Sequence, residues 1–161
     1  MVWTNNDGLR VRFGQELAEE SRIGSPSDNA AATHQIIADL RYDEMPAAGA
    51  GADFVQGEPS VALPAGALLR KATLITTTAF TSAGATTLDI GLADADGVAI
   101  DADGVAAAIP KASMDAVGEE VVGAGALIGT KLAANSYLTL TVNTATLTAG
   151  RAKLLVEYII L

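Results

Sequence analysis

Two short Asp-rich repeats are the most chemically suggestive feature of this sequence. Asp94-Ala95-Asp96-Gly97 is followed by Asp101-Ala102-Asp103-Gly104, so four carboxylates fall within ten residues. Because Ca²⁺ takes about six to eight oxygen ligands, Asp94, Asp96, Asp101 and Asp103 are candidates for a calcium site. Their spacing is not that of an EF-hand, since the position that requires glycine is Ala99. Two Asp-Gly turns around a short strand are the favoured interpretation, because Asp bonds its own backbone and Gly allows positive φ.

The sequence offers no convincing catalytic set. It has one histidine and no cysteine, which excludes a thiol nucleophile, a disulfide framework and a thiolate metal site. His34 falls on the apolar side of a predicted strand, where a structural role is favoured over that of a general base. The acidic pairs Asp43-Glu44 and Glu119-Glu120 do not converge, because adjacent strand residues point to opposite faces. We therefore predict a protein that is not an enzyme and holds no cofactor.

Composition limits the partners of this chain. Acidic residues outnumber basic ones 19 to 10, which gives its 161 residues a formal charge of −9. Nucleic acids and anionic membranes both require a basic surface, so neither is expected to be a partner. Charged residues make up only 18% of the chain, which predicts that much of its surface faces other protein.

Alternating polar and apolar residues predict a body made of strands. The pattern is clearest over residues 34–42, 67–80, 86–93, 137–142 and 151–160. A Gly-containing turn between the second and third of these segments predicts a hairpin. Val105 to Met114 is the best helix candidate, although Pro110 limits its length. Because regular crossover helices are missing from the pattern, we predict an all-β fold, an antiparallel β-sandwich of jelly-roll type.

The first part of the chain is less regular than the rest. Residues 1–33 are predicted to form an extended N-terminal arm, and residues 34–161 the β-sandwich body. Within the arm, Leu9, Val11 and Phe13 alternate with Arg10 and Arg12. A basic strip in so acidic a chain suggests docking onto an acidic protein surface, where charge sets register and association rate. An ordinary solvated strand face is an equal alternative.

Several short segments resemble a known class of viral proteins. They are Asn5 to Gly14, Leu63 to Ala67, Ala72 to Phe80 and Leu88 to Leu92. Together they resemble the small head proteins of tailed bacteriophages that act as capsid cement, or decoration, proteins. The resemblance implies a jelly-roll that forms dimers or trimers on the outer capsid surface. A homotrimer is expected over a dimer, with the major capsid protein as partner and synthesis in the host cytoplasm.

Two functional hypotheses follow from this resemblance and from the residues. The first is a structural virion protein that bridges capsid subunits and so stabilises the phage head. Its expected contact residues are Trp3, Leu9, Arg10, Arg12 and Phe13. The alternative is a carbohydrate- or receptor-binding β-module of a phage tail or fibre, which requires exposed aromatic side chains. The aromatic content of only 4% favours the first hypothesis.

Overall fold

The computed structural model describes residues 2–4, 10–12, 33–55 and 62–161. Predictions that fall elsewhere, including those for Leu9 and Phe13, lie outside the described residues. The described chain is built of strands, with two short 3-10 turns at Tyr42–Glu44 and Lys111–Ser113. Within these ranges, no helix is long and apolar enough to cross a membrane.

The described strands are numbered in chain order. They are β1 Val2–Thr4, β2 Arg10–Arg12, β3 His34–Arg41, β4 Asp53–Phe54, β5 Ala62–Leu63, β6 Ala67–Ser82, β7 Thr87–Ala93, β8 Ala99–Pro110, β9 Glu120–Val122, β10 Ser136–Asn143 and β11 Leu147–Ile160. The β-branched and alternating segments predicted as strands all fall inside or overlap these elements.

The body consists of two antiparallel sheets. One has four strands in the order β3-β11-β6-β9. The other has five, in the order β4-β10-β7-β8, with β5 also paired to β10. This confirms the predicted all-β antiparallel β-sandwich. The jelly-roll type stays a prediction, which the repeated crossing of the chain between the two sheets supports.

The core lies between the two sheets and consists mainly of leucine, isoleucine, valine and alanine side chains. Alternate residues of the long strands face inward, such as Leu74 on β6 and Leu154 on β11, whereas their neighbours face outward. The facing sheet contributes residues such as Ile90 and Leu140. One large ring, that of Phe80, is fully buried among them.

Two local predictions were wrong. Segments 67–80 and 86–93 do not form a hairpin, since β6 pairs with β11 and β9, whereas β7 pairs with β10 and β8. The turn between them carries the chain from one sheet to the other. Val105 to Met114 is not a helix, because residues 99–110 form the edge strand β8. Its alanines have high helix propensity, but pairing with β7 outweighs that local preference.

Gly150 allows the closest approach in the core. Its φ is +131°, a backbone conformation that residues with a side chain rarely adopt. A Cβ at this position would overlap the ring of Phe80. Gly150 lies in β11 within a shift of its register with β6, between Ala149 and Arg151. The irregular part of the longest strand pair therefore makes room for the largest core ring.

We predict that Gly150→Ala destabilises the fold by about 2 to 4 kcal/mol, because strain and overpacking combine. Urea unfolding followed by circular dichroism measures the change. Gly118→Ala is the matched control, since Gly118 has φ +90° but no heavy atom within 4 Å of the added Cβ. This control should lose only about 1 kcal/mol through backbone strain. Equal losses in the two variants would contradict the proposed overlap with Phe80.

Candidate functional site

The first Asp-rich repeat forms a turn between β7 and β8. The Asp94 Oδ1 atom accepts hydrogen bonds from the backbone N–H groups of Asp96 and Val98, both at 2.9 Å. Gly97 follows with φ +80°. This confirms the predicted Asp-Gly turn. The Asp94 carboxylate is thereby engaged in holding its own loop.

The second repeat is not a matching turn. Asp101 to Gly104 lie within β8 at a bulge, where its register with β7 is interrupted. Leu92 pairs with Asp101 and Ile90 with Ala106, so several extra residues of β8 lie opposite Gly91. A Cβ on Gly91 would overlap backbone atoms of Asp101 and Ala102. The glycine therefore permits the bulge to cross closely over β7.

The bulge brings two of the four candidate calcium ligands together. A hydrogen bond to the Asp101 side chain raises the pKa of Asp103 above its ordinary value of 3.8, and burial and the charge of Asp101 act in the same direction. The described residues contain no group of three or more Asp, Glu or His side chains arranged to hold a metal ion. Calcium binding by Asp94, Asp96, Asp101 and Asp103 stays an untested prediction.

Asp89 anchors a second bulge of β8, a role that its local sequence does not reveal. Its Oδ1 atom accepts a hydrogen bond from the Ala108 N–H at 2.6 Å, and its Oδ2 atom accepts one from the Asn143 side chain at 2.7 Å. Ala108 has φ +48°, which is rare for a residue with a side chain. The carboxylate thus holds three neighbouring strands, β7, β8 and β10, in one arrangement.

Charge is divided unequally between the two sheets. The strands of the four-stranded sheet carry Arg41, Arg70, Lys71, Arg151 and Lys153 against Asp39, Glu120 and Glu157. The described strands of the five-stranded sheet carry Asp53, Asp89, Asp101 and Asp103 and no lysine or arginine. Asp94 and Asp96 add to this acidic side in the β7–β8 turn. The body therefore has one acidic sheet and one of nearly balanced charge.

Three of the five predicted contact residues lie in a small hairpin-like sheet. β1 and β2 pair antiparallel, with Trp3 opposite Val11 and Thr4 opposite Arg10. Arg12 pairs with Val2 in the same ladder. The structure therefore brings Trp3, Arg10 and Arg12 onto neighbouring strands. The positions of Leu9 and Phe13 are outside the described residues.

Ion pairs at Asp39 and a ring stack stabilise the four-stranded sheet, and Arg41 of the same strand lies 3.6 Å from the Asp39 carboxylate. The Arg151 side chain donates two hydrogen bonds to the Asp39 carboxylate, one of them at 2.9 Å from Nε to Oδ1. This hydrogen bonding holds the pKa of Asp39 below its ordinary value of 3.8. His34 stacks on Tyr158 with ring centroids 5.2 Å apart. This contact fits the structural role expected for the histidine.

Comparisons with known proteins find similarity at the level of the fold. No protein-family model and no curated protein matches the chain. A chain from the capsid of Ralstonia phage GP4 has a TM-score of 0.58 at 18% identity, covering 83% of this chain and 87% of that one. A chain from the capsid asymmetric unit of cyanophage Pam1 has a TM-score of 0.56 at 20% identity, covering 92% and 100%.

A third similar chain comes from the acid-stable capsid of Helicobacter pylori bacteriophage KHP30. Its TM-score is 0.53 at 16% identity, covering 80% of this chain and 87% of that one. At such identities the likeness shows a shared fold. Each alignment covers most of both chains, so each matched capsid chain has a similar length and consists almost entirely of this fold.

We predict that Asp89→Ala destabilises the fold by about 1 to 3 kcal/mol, because two partners lose their hydrogen bonds to a charged group. Chemical unfolding measures the loss. Asp96→Ala is the control, since it removes the same charge from an exposed turn and should change stability by less than about 0.5 kcal/mol. Equal losses of stability in the two variants would mean that Asp89 acts only through its charge and not through its two hydrogen bonds.

We also predict that Asp39 makes stability depend on acid pH. Because its pKa is lowered in the folded state, its contribution is fully present above the ordinary value of 3.8 and is lost as pH falls through the folded pKa. The stability difference between wild type and Asp39→Asn should therefore be constant above about pH 5 and shrink below about pH 4. Thermal unfolding at a series of pH values measures it. A difference that stays constant down to about pH 2 would refute the role of the Arg151 pair.

Proposed function

We propose that this protein is a structural component of a phage capsid, a cement or decoration protein with no catalytic role. The observation that carries the proposal is the near-complete alignment with chains from three phage capsids. Each matched chain from these capsids consists almost entirely of this fold, so the fold serves there as a capsid component without further domains. The resemblance to cement proteins in several short segments supports the more specific role.

The proposed mechanism is non-covalent bridging of adjacent capsid subunits. The body is a two-sheet sandwich with a buried, mainly aliphatic core, and the N-terminal strands carry Trp3, Arg10 and Arg12. We propose that residues 1–33 form an arm that contacts the major capsid protein, with Leu9 and Phe13 completing the contact set. Many copies on a symmetric shell gain from multivalency, because each weak contact is repeated.

We further propose a location on the outer capsid surface and a homotrimer as the assembled unit. Both come from the resemblance to cement proteins. The separation of charge between the two sheets supports a fixed orientation of each copy, because a partner surface meets different electrostatics on each side. Synthesis in the host cytoplasm would precede addition to the capsid.

A carbohydrate- or receptor-binding module remains the second candidate, and one observation favours it. Phe54 is 39% exposed and packs edge-on against Tyr137, with ring centroids 6.0 Å apart. Exposed aromatic rings are the platforms that such modules use. A glycan array distinguishes the two candidates, because specific sugar binding that is lost in Phe54→Ala would favour the module over the cement protein.

We predict that Arg10→Glu/Arg12→Glu lowers affinity for undecorated capsids by about tenfold or more, because both contacts with an acidic surface are reversed. Co-sedimentation of the full chain with capsids measures binding. Arg70→Glu/Lys131→Glu is the matched control, since it reverses two exposed charges of the body. It should leave binding within about twofold.

Deletion of residues 1–33 extends this test. The truncated chain should keep a cooperative unfolding transition and lose capsid binding. Undiminished binding by a folded truncated chain would show that the arm is not part of the proposed contact.

The copy number in purified particles tests the cement role itself, because the number of copies of a cement protein must match the symmetry of the capsid lattice.

A further inference from the structure

A row of three apolar side chains and one threonine, called the apolar row below, crosses the outer face of the four-stranded sheet. The strand register places Leu155 of β11 between Ile37 of β3 and Thr73 of β6, and Thr73 next to Val122 of β9. All four residues belong to the side of the sheet that faces away from the core. The register is regular here, since the shifts between β6 and β11 fall outside residues 152–157.

The ends of this row are unusually exposed for apolar residues. Ile37 is 58% exposed and Val122 is 56% exposed, whereas between them Leu155 is half-buried and Thr73 is buried. The two exposed side chains are β-branched and lie on the two edge strands of one sheet. An apolar band rimmed by polar groups typically marks a protein-protein contact.

Charged residues flank the row in a symmetric pattern. On one side Lys153 lies between Asp39 and Ile75 in neighbouring strands, and Glu120 of β9 lies next to Ile75. On the other side Glu157 lies between Gln35 and Lys71. Lys153 and Glu157 are each two residues from Leu155 on β11, so both point to the same face. The central strand therefore presents a positive and a negative charge at equal distances from the apolar row.

This pattern is complementary to itself. Two copies can pack with their four-stranded sheets face to face about a two-fold axis that runs along the row. Each strand then lies over the same strand of the other copy. Residues on one side of the row face the residues that lie on the other side of the row in the other copy. Lys153 then faces Glu157 of the other copy, twice. Asp39 faces Gln35 and Ile75 faces Lys71, so no like charges meet at the matched positions of β3, β6 and β11. A contact of this kind is isologous, in which the same surface serves both copies.

We propose that the outer face of the four-stranded sheet is a two-fold docking surface for a second copy of this chain. Charge complementarity selects this occupant, because the face matches itself while the five-stranded sheet is acidic and repels its own copy. The contact stands independently of the capsid role. In a trimeric protein it joins one trimer to the next.

The first test measures self-association of the full chain by sedimentation equilibrium. Ile37→Asp should weaken the two-fold association by about tenfold or more, because it introduces a charge into the apolar row. Val98→Asp is the matched control, since Val98 is 63% exposed in the β7–β8 turn of the other sheet. This control should leave the association unchanged. A wild-type chain without Ile37-sensitive association would overturn the proposal, as would equal effects of the two variants.

The second test depends on the register and cannot be reproduced by misfolding. Lys153→Glu alone and Glu157→Lys alone should each lose self-association, because like charges then face each other. An equimolar mixture of the two variants should associate again, since every facing pair in the mixed dimer is opposite in charge. The double variant Lys153→Glu/Glu157→Lys should also associate. Failure of both the mixture and the double variant would overturn the two-fold arrangement.

The same variants separate this contact from other occupants of the face. If Ile37→Asp reduces capsid binding but leaves self-association intact, the face docks on the capsid and the proposal is wrong. If deletion of residues 1–33 leaves the Ile37-sensitive association intact, the arm is excluded as the occupant and the proposal is supported. Melting temperatures within a few degrees of wild type confirm that each variant is folded.

Discussion

The pairing of β6 with β11 is the constraint on which the rest of the body depends. These two strands are the longest of those described, and β11 holds both β3 and β6 in register over most of its length. Their inward residues, such as Leu74 and Leu154, form one side of the core, and their outward residues form part of the face that carries the apolar row. Because the pairing is between residues far apart in sequence, the body cannot form in stages from local hairpins alone.

Sequence pattern was sufficient to predict a strand where it carries a clear period of two. β3, β10 and β11 alternate cleanly, so their existence and inward faces were predictable from residues such as Leu40 and Val156. Pattern was insufficient for β8, where Ala106 to Ala108 have no alternation and favour helix by propensity. Pairing with β7 decides that segment, and no local pattern encodes a partner strand. The predicted β6–β7 hairpin failed for the same reason, because a Gly turn permits a hairpin but does not specify which sheet follows.

The candidate site was predictable in part. The acidic turn at Asp94 follows from its own Asp-Gly chemistry, which is local. The role of Asp89 was not predictable, because it depends on Asn143 and on the left-handed Ala108, both brought near by tertiary pairing. The same limit applies to the apolar row. Ile37, Thr73, Val122 and Leu155 are scattered along the chain, and only the register of four strands aligns them.

The division of charge and the apolar row lead to the same geometry. Packed sheets lie about 10 Å apart, so two sandwiches joined by their four-stranded faces keep their acidic sheets roughly 30 Å apart. That separation is several times the Debye length of about 8 Å at physiological salt, so repulsion between the acidic sheets is almost fully screened. Joining the acidic sheets instead would set Asp101 and Asp103 of two copies within about one Debye length. The five-stranded sheet, which carries the excess of negative charge, therefore stays exposed to solvent when the four-stranded sheets form the two-fold contact.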